Sequence, residues 1–354
     1  MDKVIRVGLI GFGVGGQIFH APVLTTVKGL ELVKIRATKP EQISVAKAKY
    51  PQARIVSTSE EICSDENIDL VVITTPNTSH YALAMQALKA GKHVVVDKPF
   101  TITTVEADDL IAFAAKRNQI LSVYHSRRFD SDFYTIQKII NNGLLGDIVE
   151  FESRYDRFRN FLKPGAWREE DAPGTGILYD LGSHLIDQAR ALFGLPEAVS
   201  ADLRIQRKDG KAIDNFEVIL HYPGIKASLK AGMLVRESLP RFILSGTNGS
   251  FVKYGMDVQE EALKAGFTPL TKDKWGVEPV DIWGTINTDV KDQHFVGRIE
   301  SEKGNYAAFY LNICNAISGK ENIIVTPLEA RNNVRIIELA MQSQFERRTI
   351  DFSF

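Results

Sequence analysis

The first third of the chain alternates short apolar runs with segments of helical periodicity. The runs are rich in Val and Ile and occupy residues 4–10, 30–37, 53–56, 69–75, 92–97 and 120–125. The segments between them, such as residues 79–90, place apolar side chains at helical spacing. Because strands buried on both faces read as continuous apolar runs, the pattern predicts a βαβ series and a doubly wound parallel sheet. We place this first domain at residues 1–122.

The pattern changes beyond residue 122, where a helix around residues 131–142 precedes longer strands. These strands are predicted at residues 148–158, 197–207, 215–222 and 225–235. The turn Tyr222-Pro223-Gly224 predicts a hairpin, so we expect antiparallel pairing. A last helix is predicted from Pro327 to about Gln344, with Thr326 as its cap. Residues 123–354 are therefore predicted to form an α/β domain with a large open, mostly antiparallel sheet.

Composition and charge narrow the class of protein. The 354 residues are 44% hydrophobic and 25% charged, which is typical of a soluble globular protein with two cores. The 43 basic and 44 acidic residues nearly cancel, so we expect neither nucleic acid nor a membrane as partner. Cys63 and Cys314 lack the spacing of a redox or zinc motif, and the apolar run at residues 4–10 is too short for a signal sequence. A cytoplasmic location is expected.

A glycine motif stands directly after the first strand, in the sequence GFGVGG. Gly11, Gly13 and Gly16 have the GxGxxG register around Phe12. The first glycine makes a tight turn, the second lets a pyrophosphate approach the backbone, and the third packs helix on strand. At a strand-to-helix junction of a βαβ series, these four residues predict a Rossmann domain that binds a dinucleotide.

The end of the second strand bears on which dinucleotide binds. NAD sites usually place an acid there for the ribose 2′-hydroxyl, but this chain has Thr38 and Lys39. A hydroxyl and a cation suit a 2′-phosphate, so NADP(H) is predicted to be preferred, with NAD(H) possible. Glu31 is the rival acid, but it opens the strand. The alternative interpretation of Lys39 is a solvated loop lysine.

Two further groups of residues indicate proton and hydride chemistry. Lys98 follows Asp97 at the carboxyl end of the fifth strand, where its charge could stabilise a substrate alkoxide. Asp180, His184 and Asp187 fall on one face of a predicted helix, which combines an imidazole with carboxylates for acid–base work. The alternatives are a surface lysine, a carboxylate favoured by the helix dipole and a core histidine.

The motifs at residues 11–16, 74–80, 91–99 and 180–187 resemble those of the Gfo/Idh/MocA family of sugar and polyol oxidoreductases. Within this family, residues 123–130, 155–169 and 250–266 are most similar to NADP-dependent scyllo-inositol dehydrogenases. The resemblance implies a Rossmann domain, a second domain whose open sheet forms homodimers or homotetramers, and the catalytic set Lys98, Asp180 and His184. The family lysine usually follows a glutamate, so Asp97 is one methylene shorter.

The resemblance and the residue types together predict which side chains contact cofactor and substrate. Near the cofactor we expect Thr75, Pro76, Asn77, His80, Asp97 and Lys98. Around the substrate we expect His125, Arg127, Tyr155, Arg157, Arg159, Trp167, Asp180 and His184. The alternative for Arg154, Arg157 and Arg159 is pairing with local acids such as Asp156. The seven histidines show no ligand spacing, so no catalytic metal is expected.

The function that these features predict is NADP-dependent hydride transfer between a polyol or sugar hydroxyl and its ketone. By the resemblance, the favoured pair is scyllo-inositol and the corresponding inosose. Two alternatives stay open: a non-catalytic NADP-binding sugar sensor, and a dehydrogenase or reductase of another aldose or ketose.

Overall fold

The computed structural model describes residues 4–353, which divide into two compact units. The first unit comprises the chain up to Ser126 together with Gln259–Trp275 and Asn305–Arg331. The second comprises Arg127–Val258, Gly276–Gly304 and the chain from Asn332 onward. The predicted boundary between residues 122 and 123 stays a prediction. The units differ from it because two later segments belong with the first unit.

The sheet of the first unit has six parallel strands. They are β1 (Ile5–Ile10), β2 (Leu30–Arg36), β3 (Arg54–Val56), β4 (Leu70–Ile73), β5 (His93–Asp97) and β6 (Leu121–Tyr124). Their order is β3-β2-β1-β4-β5-β6, which confirms the predicted doubly wound sheet. All four residues of β4 are buried, which explains why its sequence is continuously apolar. The order reverses between β1 and β4, where such sheets bind ligands at their carboxyl ends.

Helices connect and cover these strands. They are α1 (Ala21–Leu24), α2 (Pro40–Lys49), α3 (Glu60–Cys63), α4 (His80–Lys89) and α5 (Thr104–Lys116). Thr103 and Glu106 form a reciprocal capping box at the start of α5. The two later segments of this unit add α8 (Gln259–Lys264) and α9 (Ala307–Ile317). α9 brings Phe309 and Tyr310 into the interior, where both are buried.

The second unit has a nine-stranded sheet. Its strands are β7 (Ile148–Arg154), β8 (Ala198–Arg204), β9 (Asn215–Tyr222), β10 (Ile225–Gly232), β11 (Phe242–Gly246), β12 (Gly249–Lys253), β13 (Gly284–Val290), β14 (Gln293–Ile299) and β15 (Ile350–Asp351). The order is β14-β13-β12-β11-β7-β10-β9-β8-β15. Only the β7–β10 pair is parallel among the pairings of this sheet in residues 4–353, so the predicted mostly antiparallel sheet is confirmed. The β9–β10 hairpin turns at Gly224, whose φ of 75° suits glycine.

One face of this sheet packs on three helices, α6 (Ser131–Asn141), α7 (Ser183–Phe193) and α10 (Pro327–Glu346). Leu185, Ile186, Ile336 and Ile337 join alternate strand residues in one buried apolar cluster. The other face carries cross-strand ion pairs instead. Lys226 lies 2.6 Å from Glu150, and Lys230 lies 3.0 Å from Glu152 and 3.2 Å from Glu217. One face is therefore apolar and covered, and the other is charged.

Two predicted elements can be compared with the observed bounds. The helix from Pro327 runs to Glu346, and Thr326 caps it, because its hydroxyl accepts the Glu329 N–H at 3.2 Å. The strand predicted at residues 148–158 ends at Arg154. Beyond it, Phe158 forms an isolated antiparallel bridge with Leu234. None of the helices within residues 4–353 has the length and apolar character needed to cross a membrane.

Candidate active site

The glycine motif forms a cradle at the carboxyl end of β1. Gly11 has a φ of 101°, which a side chain would strain, and a Cβ on Gly16 would lie 2.5 Å from the Gly11 carbonyl oxygen. A Cβ on Gly13 would meet no atom within 4 Å, so this position is open. Phe12 turns its side chain inward, with its ring edge-on to Tyr50. An open glycine between two constrained ones fits the close approach of a dinucleotide phosphate.

The carboxyl end of β2 presents the two residues predicted to select the cofactor. Thr38 and Lys39 are exposed just beyond Arg36, the last residue of the strand, and Lys39 precedes the first turn of α2. Glu31 is the second residue of β2 and therefore lies at the amino end of the strand. Lys39 thus lies beyond the carboxyl end of β2, the end at which dinucleotides bind in such sheets, whereas Glu31 lies at the other end.

The ends of β4 and β5 hold the other residues predicted near the cofactor. Thr75 is half-buried, Pro76 is exposed and Asn77 is buried. Buried His80 joins the two strand ends, since Nδ1 lies 2.8 Å from the Pro99 carbonyl oxygen and Nε2 lies 3.0 Å from that of Thr75. Burial lowers the pKa of His80, so the ring is neutral and donates to one of these carbonyls.

Asp97 ends β5 with its carboxylate facing the glycine motif, and Lys98 follows directly. The Lys98 N–H donates to Asp97 Oδ1 at 2.8 Å, and Asp97 Oδ2 lies 3.2 Å from where a Cβ on Gly15 would stand. The Lys98 side chain is half-buried in the first unit, and His125 after β6 is fully buried there. Lys98 is thus anchored through its backbone beside the predicted dinucleotide cradle.

Asp180 and His184 lie in the second unit, on a helix that begins with a wider turn. Residues Leu178–Gly182 form a π-helical turn that leads into α7, so the regular helical spacing expected from the sequence holds only from Ser183 onward. Asp187 on α7 binds Arg128 through both oxygens at 2.7 Å and accepts a hydrogen bond from Asn333. Asp187 is therefore engaged in a buried structural ion pair.

Tyr155 is the centre of the predicted substrate residues of the second unit. Its ring stacks on His184, with centroids 6.4 Å apart and planes at 24°. Its hydroxyl accepts a hydrogen bond from buried Arg127 at 2.8 Å. The guanidinium carbons of Arg127, Arg157 and Arg241 lie 5.6, 5.2 and 5.3 Å from the ring centroid. The Tyr155 ring thus contacts both His184, the candidate base, and three guanidinium groups.

Two arginines that flank Arg157 in the sequence, Arg154 and Arg159, are paired with acids. Arg154 lies 2.6 Å from Glu152 and 3.2 Å from Asp156, as the alternative interpretation expected for this arginine. Arg159 forms an ion pair with Glu169. Arg157 keeps an exposed guanidinium, which makes it the more accessible of the two predicted substrate arginines of this segment.

Arg168, in the segment after β7, reaches the candidate acid Asp180. Arg168 lies over the half-buried Trp167 ring at 4.5 Å, and its Nε lies 3.4 Å from Asp180 Oδ1. Sequence reasoning missed Arg168 as a partner of Asp180, and it missed Arg241 beside Tyr155. Arg241 lies 86 residues after Tyr155 in the chain, in no motif, so only the pairing of β7 with β11 brings it there.

Comparisons with known proteins decide the family. A family model described as "Oxidoreductase family, NAD-binding Rossmann fold" matches residues 5–125, and one described as "Oxidoreductase family, C-terminal alpha/beta domain" matches residues 137–352. The chain belongs to the Gfo/Idh/MocA oxidoreductase family. The predicted family, fold class and nicotinamide-dependent oxidoreductase chemistry are thereby confirmed.

Similar proteins in this family extend over nearly the whole chain. The scyllo-inositol 2-dehydrogenase (NADP(+)) IolW of Bacillus subtilis is 40% identical over 98% of this chain and 95% of its own length. The uncharacterized oxidoreductase YdgJ of Escherichia coli is 41% identical over 99% of both chains. The solved structure of the oxidoreductase yvaA from Bacillus subtilis superposes with a TM-score of 0.95, at 40% identity and 99% coverage of both chains.

Among the residues that the structure describes, no group of three or more His, Cys, Asp or Glu side chains could hold a metal ion. The candidate residues for chemistry are a lysine anchored beside the glycine cradle in the first unit and an imidazole with a carboxylate in the second. Such groups can bind an oxygen and move a proton, while the nicotinamide ring supplies or accepts hydride.

Proposed function

We propose that this chain is an NADP-dependent dehydrogenase of polyols, with scyllo-inositol and the corresponding inosose as its substrate pair. The observation that carries the proposal is the 40% identity to IolW over 98% of this chain, since that relative is named as an NADP(+) scyllo-inositol 2-dehydrogenase. Exposed Thr38 and Lys39 at the carboxyl end of β2 support NADP(H), because a cation and a hydroxyl complement a 2′-phosphate.

His184 is the proposed general base for oxidation of the substrate. An imidazole can take the hydroxyl proton near neutral pH, and stacking on Tyr155 holds the ring in one plane. Asp180 then orients the imidazole or stabilises its charged form. The three arginines around Tyr155 leave the acid–base step to His184, because guanidinium groups keep their protons.

Lys98 is the proposed partner of the substrate oxygen. Its ammonium group would donate a hydrogen bond to the hydroxyl oxygen and stabilise negative charge as the proton leaves. In the reverse direction, the same charge would polarise a ketone while His184 returns the proton. The hydrogen bond from the Lys98 N–H to Asp97 fixes the backbone position from which the Lys98 side chain extends.

Initial rates of NADP+ and NAD+ reduction by purified protein test the proposal. We expect turnover of scyllo-inositol with NADP+ at a kcat/KM at least tenfold above that with NAD+. Faster turnover of an aldose than of any inositol would contradict the substrate and favour a sugar dehydrogenase. NADPH binding without turnover of any polyol, inosose, aldose or ketose would contradict catalysis and favour a sensor.

We further propose a homodimer or homotetramer formed through the charged face of the nine-stranded sheet. The ion pairs of Lys226 and Lys230 line strands at the centre of that face. Light scattering should give two or four times the chain mass, and Lys226→Glu with Lys230→Glu should shift it toward one. A monomer in the unsubstituted protein would contradict this assembly. The predicted cytoplasmic location stays a prediction. The two cysteines on which it partly rests, Cys63 and Cys314, are buried free thiols.

A further inference from the structure

A buried polar cluster lies directly behind the start of Lys98, and the proposed reaction does not use it. His20, which ends the turn after the glycine motif, and Tyr310 on α9 are both fully buried. The His20 Nδ1 lies 2.6 Å from the Tyr310 hydroxyl oxygen, and Nε2 lies 3.6 Å from Asp97 Oδ1. Burying a phenol and an imidazole is costly unless each has a polar partner, and here the imidazole lies between the phenol and the Asp97 carboxylate, whose side chain is 22% exposed.

The direction of the hydrogen bond between His20 and Tyr310 follows from Tyr310. Burial raises its pKa well above the ordinary value, so the phenol keeps its proton and can donate it to His20 Nδ1. A neutral imidazole that accepts at Nδ1 carries its own proton on Nε2, the nitrogen that faces Asp97. The ring of Tyr124 packs on that of His20 with centroids 4.2 Å apart, which keeps Nε2 aimed at the carboxylate.

Asp97 lies beside the second ring nitrogen of His20, Nε2. Burial raises the pKa of Asp97, but the interactions with His20, followed by the charges of Lys98 and His80, bring it below the ordinary value. As an anion, the carboxylate accepts the Lys98 N–H and stands against Gly15 of the glycine motif. One carboxylate thus connects the cofactor cradle to the candidate catalytic lysine.

We propose that His20, oriented by Tyr310, is a positioning residue that holds the Asp97 carboxylate in place against the Lys98 backbone. The importance of this for turnover rests on the proposed function, in which Lys98 acts on the substrate oxygen. Without His20, Asp97 takes up a proton more easily and loses its orientation, so Lys98 is no longer fixed beside the cradle.

The first arm of the test needs no substrate. In long-range ¹H–¹⁵N spectra of the full chain, with His20 assigned by comparison with His20→Gln, we expect Nδ1 unprotonated and Nε2 protonated at pH 7. In ¹³C spectra, with the Asp97 carboxyl assigned by comparison with Asp97→Asn, we expect its titration midpoint to rise by about one pH unit in His20→Leu. Tyr310→Phe, a mild change, should raise the midpoint by less.

The control for this arm is Phe309→Leu, because Phe309 packs on Tyr124 and Tyr310 at 4.9 and 5.2 Å but carries no polar group. It should leave the Asp97 midpoint in place even if it lowers the melting temperature. The proposal is overturned by an unchanged Asp97 midpoint in His20→Leu, or by an Nδ1 proton on His20 in the unsubstituted protein.

The second arm measures turnover against pH with the best substrate of the rate panel. In His20→Leu we expect kcat to fall about tenfold while KM for NADP+ changes less than threefold across the pH range, because the anchor of Lys98 is lost but the glycine cradle is kept. His20→Gln, which keeps an amide donor, should recover part of kcat. An unchanged kcat in His20→Leu overturns the positioning role, whereas absent turnover of the unsubstituted protein with the expected spectra contradicts only the proposed function.

Discussion

At the residue scale, Lys98 and His184 belong to different units and can be substituted separately. Lys98→Met or His184→Ala should lower kcat roughly a hundredfold, because each removes a charge or proton contact needed in the transition state. NADPH affinity, measured by fluorescence titration, should change less than about threefold in Lys98→Met. The matched control is Lys116→Met, an exposed lysine at the end of α5. Full turnover by either of the first two variants would remove that residue from the mechanism.

Cofactor selection is also a residue-scale property. Lys39→Glu should weaken NADPH binding by roughly tenfold or more while changing NADH binding little, because it sets a like charge against the 2′-phosphate. Lys47→Glu, on the same helix and equally exposed, makes the same charge change farther along α2 and is the control. Equal weakening of NADPH and NADH by Lys39→Glu would refute the assignment.

At the element scale, a buried ion network fixes the segment that carries Trp167 and Arg168. Glu169 binds Arg159 and Arg207, and Arg207 also binds Asp214 at 2.8 Å. Removing the Glu169 charge takes an acidic partner from both arginines and leaves Arg207 with Asp214, which loosens the segment.

Glu169→Gln should therefore raise KM for the polyol severalfold, leave kcat within about threefold and leave the NADPH dissociation constant unchanged. Steady-state kinetics at saturating NADP+ measures the first two. Lys211→Gln breaks the neighbouring exposed pair with Glu170 and should change none of them. An unchanged KM in Glu169→Gln would show that this segment does not reach the substrate.

Elements were predictable from sequence where burial imposed a strong pattern. The parallel strands read clearly because residues such as Val71 and Val95 are buried on both faces. β13 was missed because two of its alternating buried positions are Gly284 and Thr288 rather than large apolar residues, and β14 was missed because it is largely exposed. The π-helical turn at Leu178–Gly182 was missed as well, since a single wide turn leaves no distinct periodicity.

At the scale of the whole molecule, a buried carboxyl group makes stability depend on pH. Asp132 is fully buried on α6, and neither of its oxygens accepts a hydrogen bond. Burial raises its pKa from 3.8 to about 6, although Arg241 and Lys253 lower it and Glu278 and Asp257 raise it further. Between pH 4 and 6 the folded protein keeps a proton that the unfolded chain has lost, so stability falls as pH rises through this window.

Asp132→Asn removes this titration. Its melting temperature relative to the unsubstituted protein should therefore rise by roughly 3 to 6 °C between pH 5 and pH 7.5. Scanning calorimetry at the two pH values measures the difference. Asp273→Asn, an exposed control, should show no such change. A difference for Asp132→Asn that is constant with pH would mean that Asp132 titrates normally.

The candidate site of the whole molecule was only partly predictable. The glycine motif, Lys98 and His184 stand in local motifs, so their residue types and context were sufficient to propose them. His20 and Tyr310 lie 290 positions apart, and no local pattern links them, because α9 returns to the first unit only in the folded chain. Contacts formed by chain return are set by tertiary packing and leave little trace in local sequence.

The reaction proposed for this chain moves hydride between a polyol carbon and NADP. The most direct measurement uses scyllo-inositol deuterated at carbon, incubated with NADP+ and the purified protein, and ²H NMR of the NADPH formed. We expect one deuterium at C4 of the nicotinamide, on one face only. NADPH without deuterium, or no NADPH while the chain binds NADP+ normally, would contradict it.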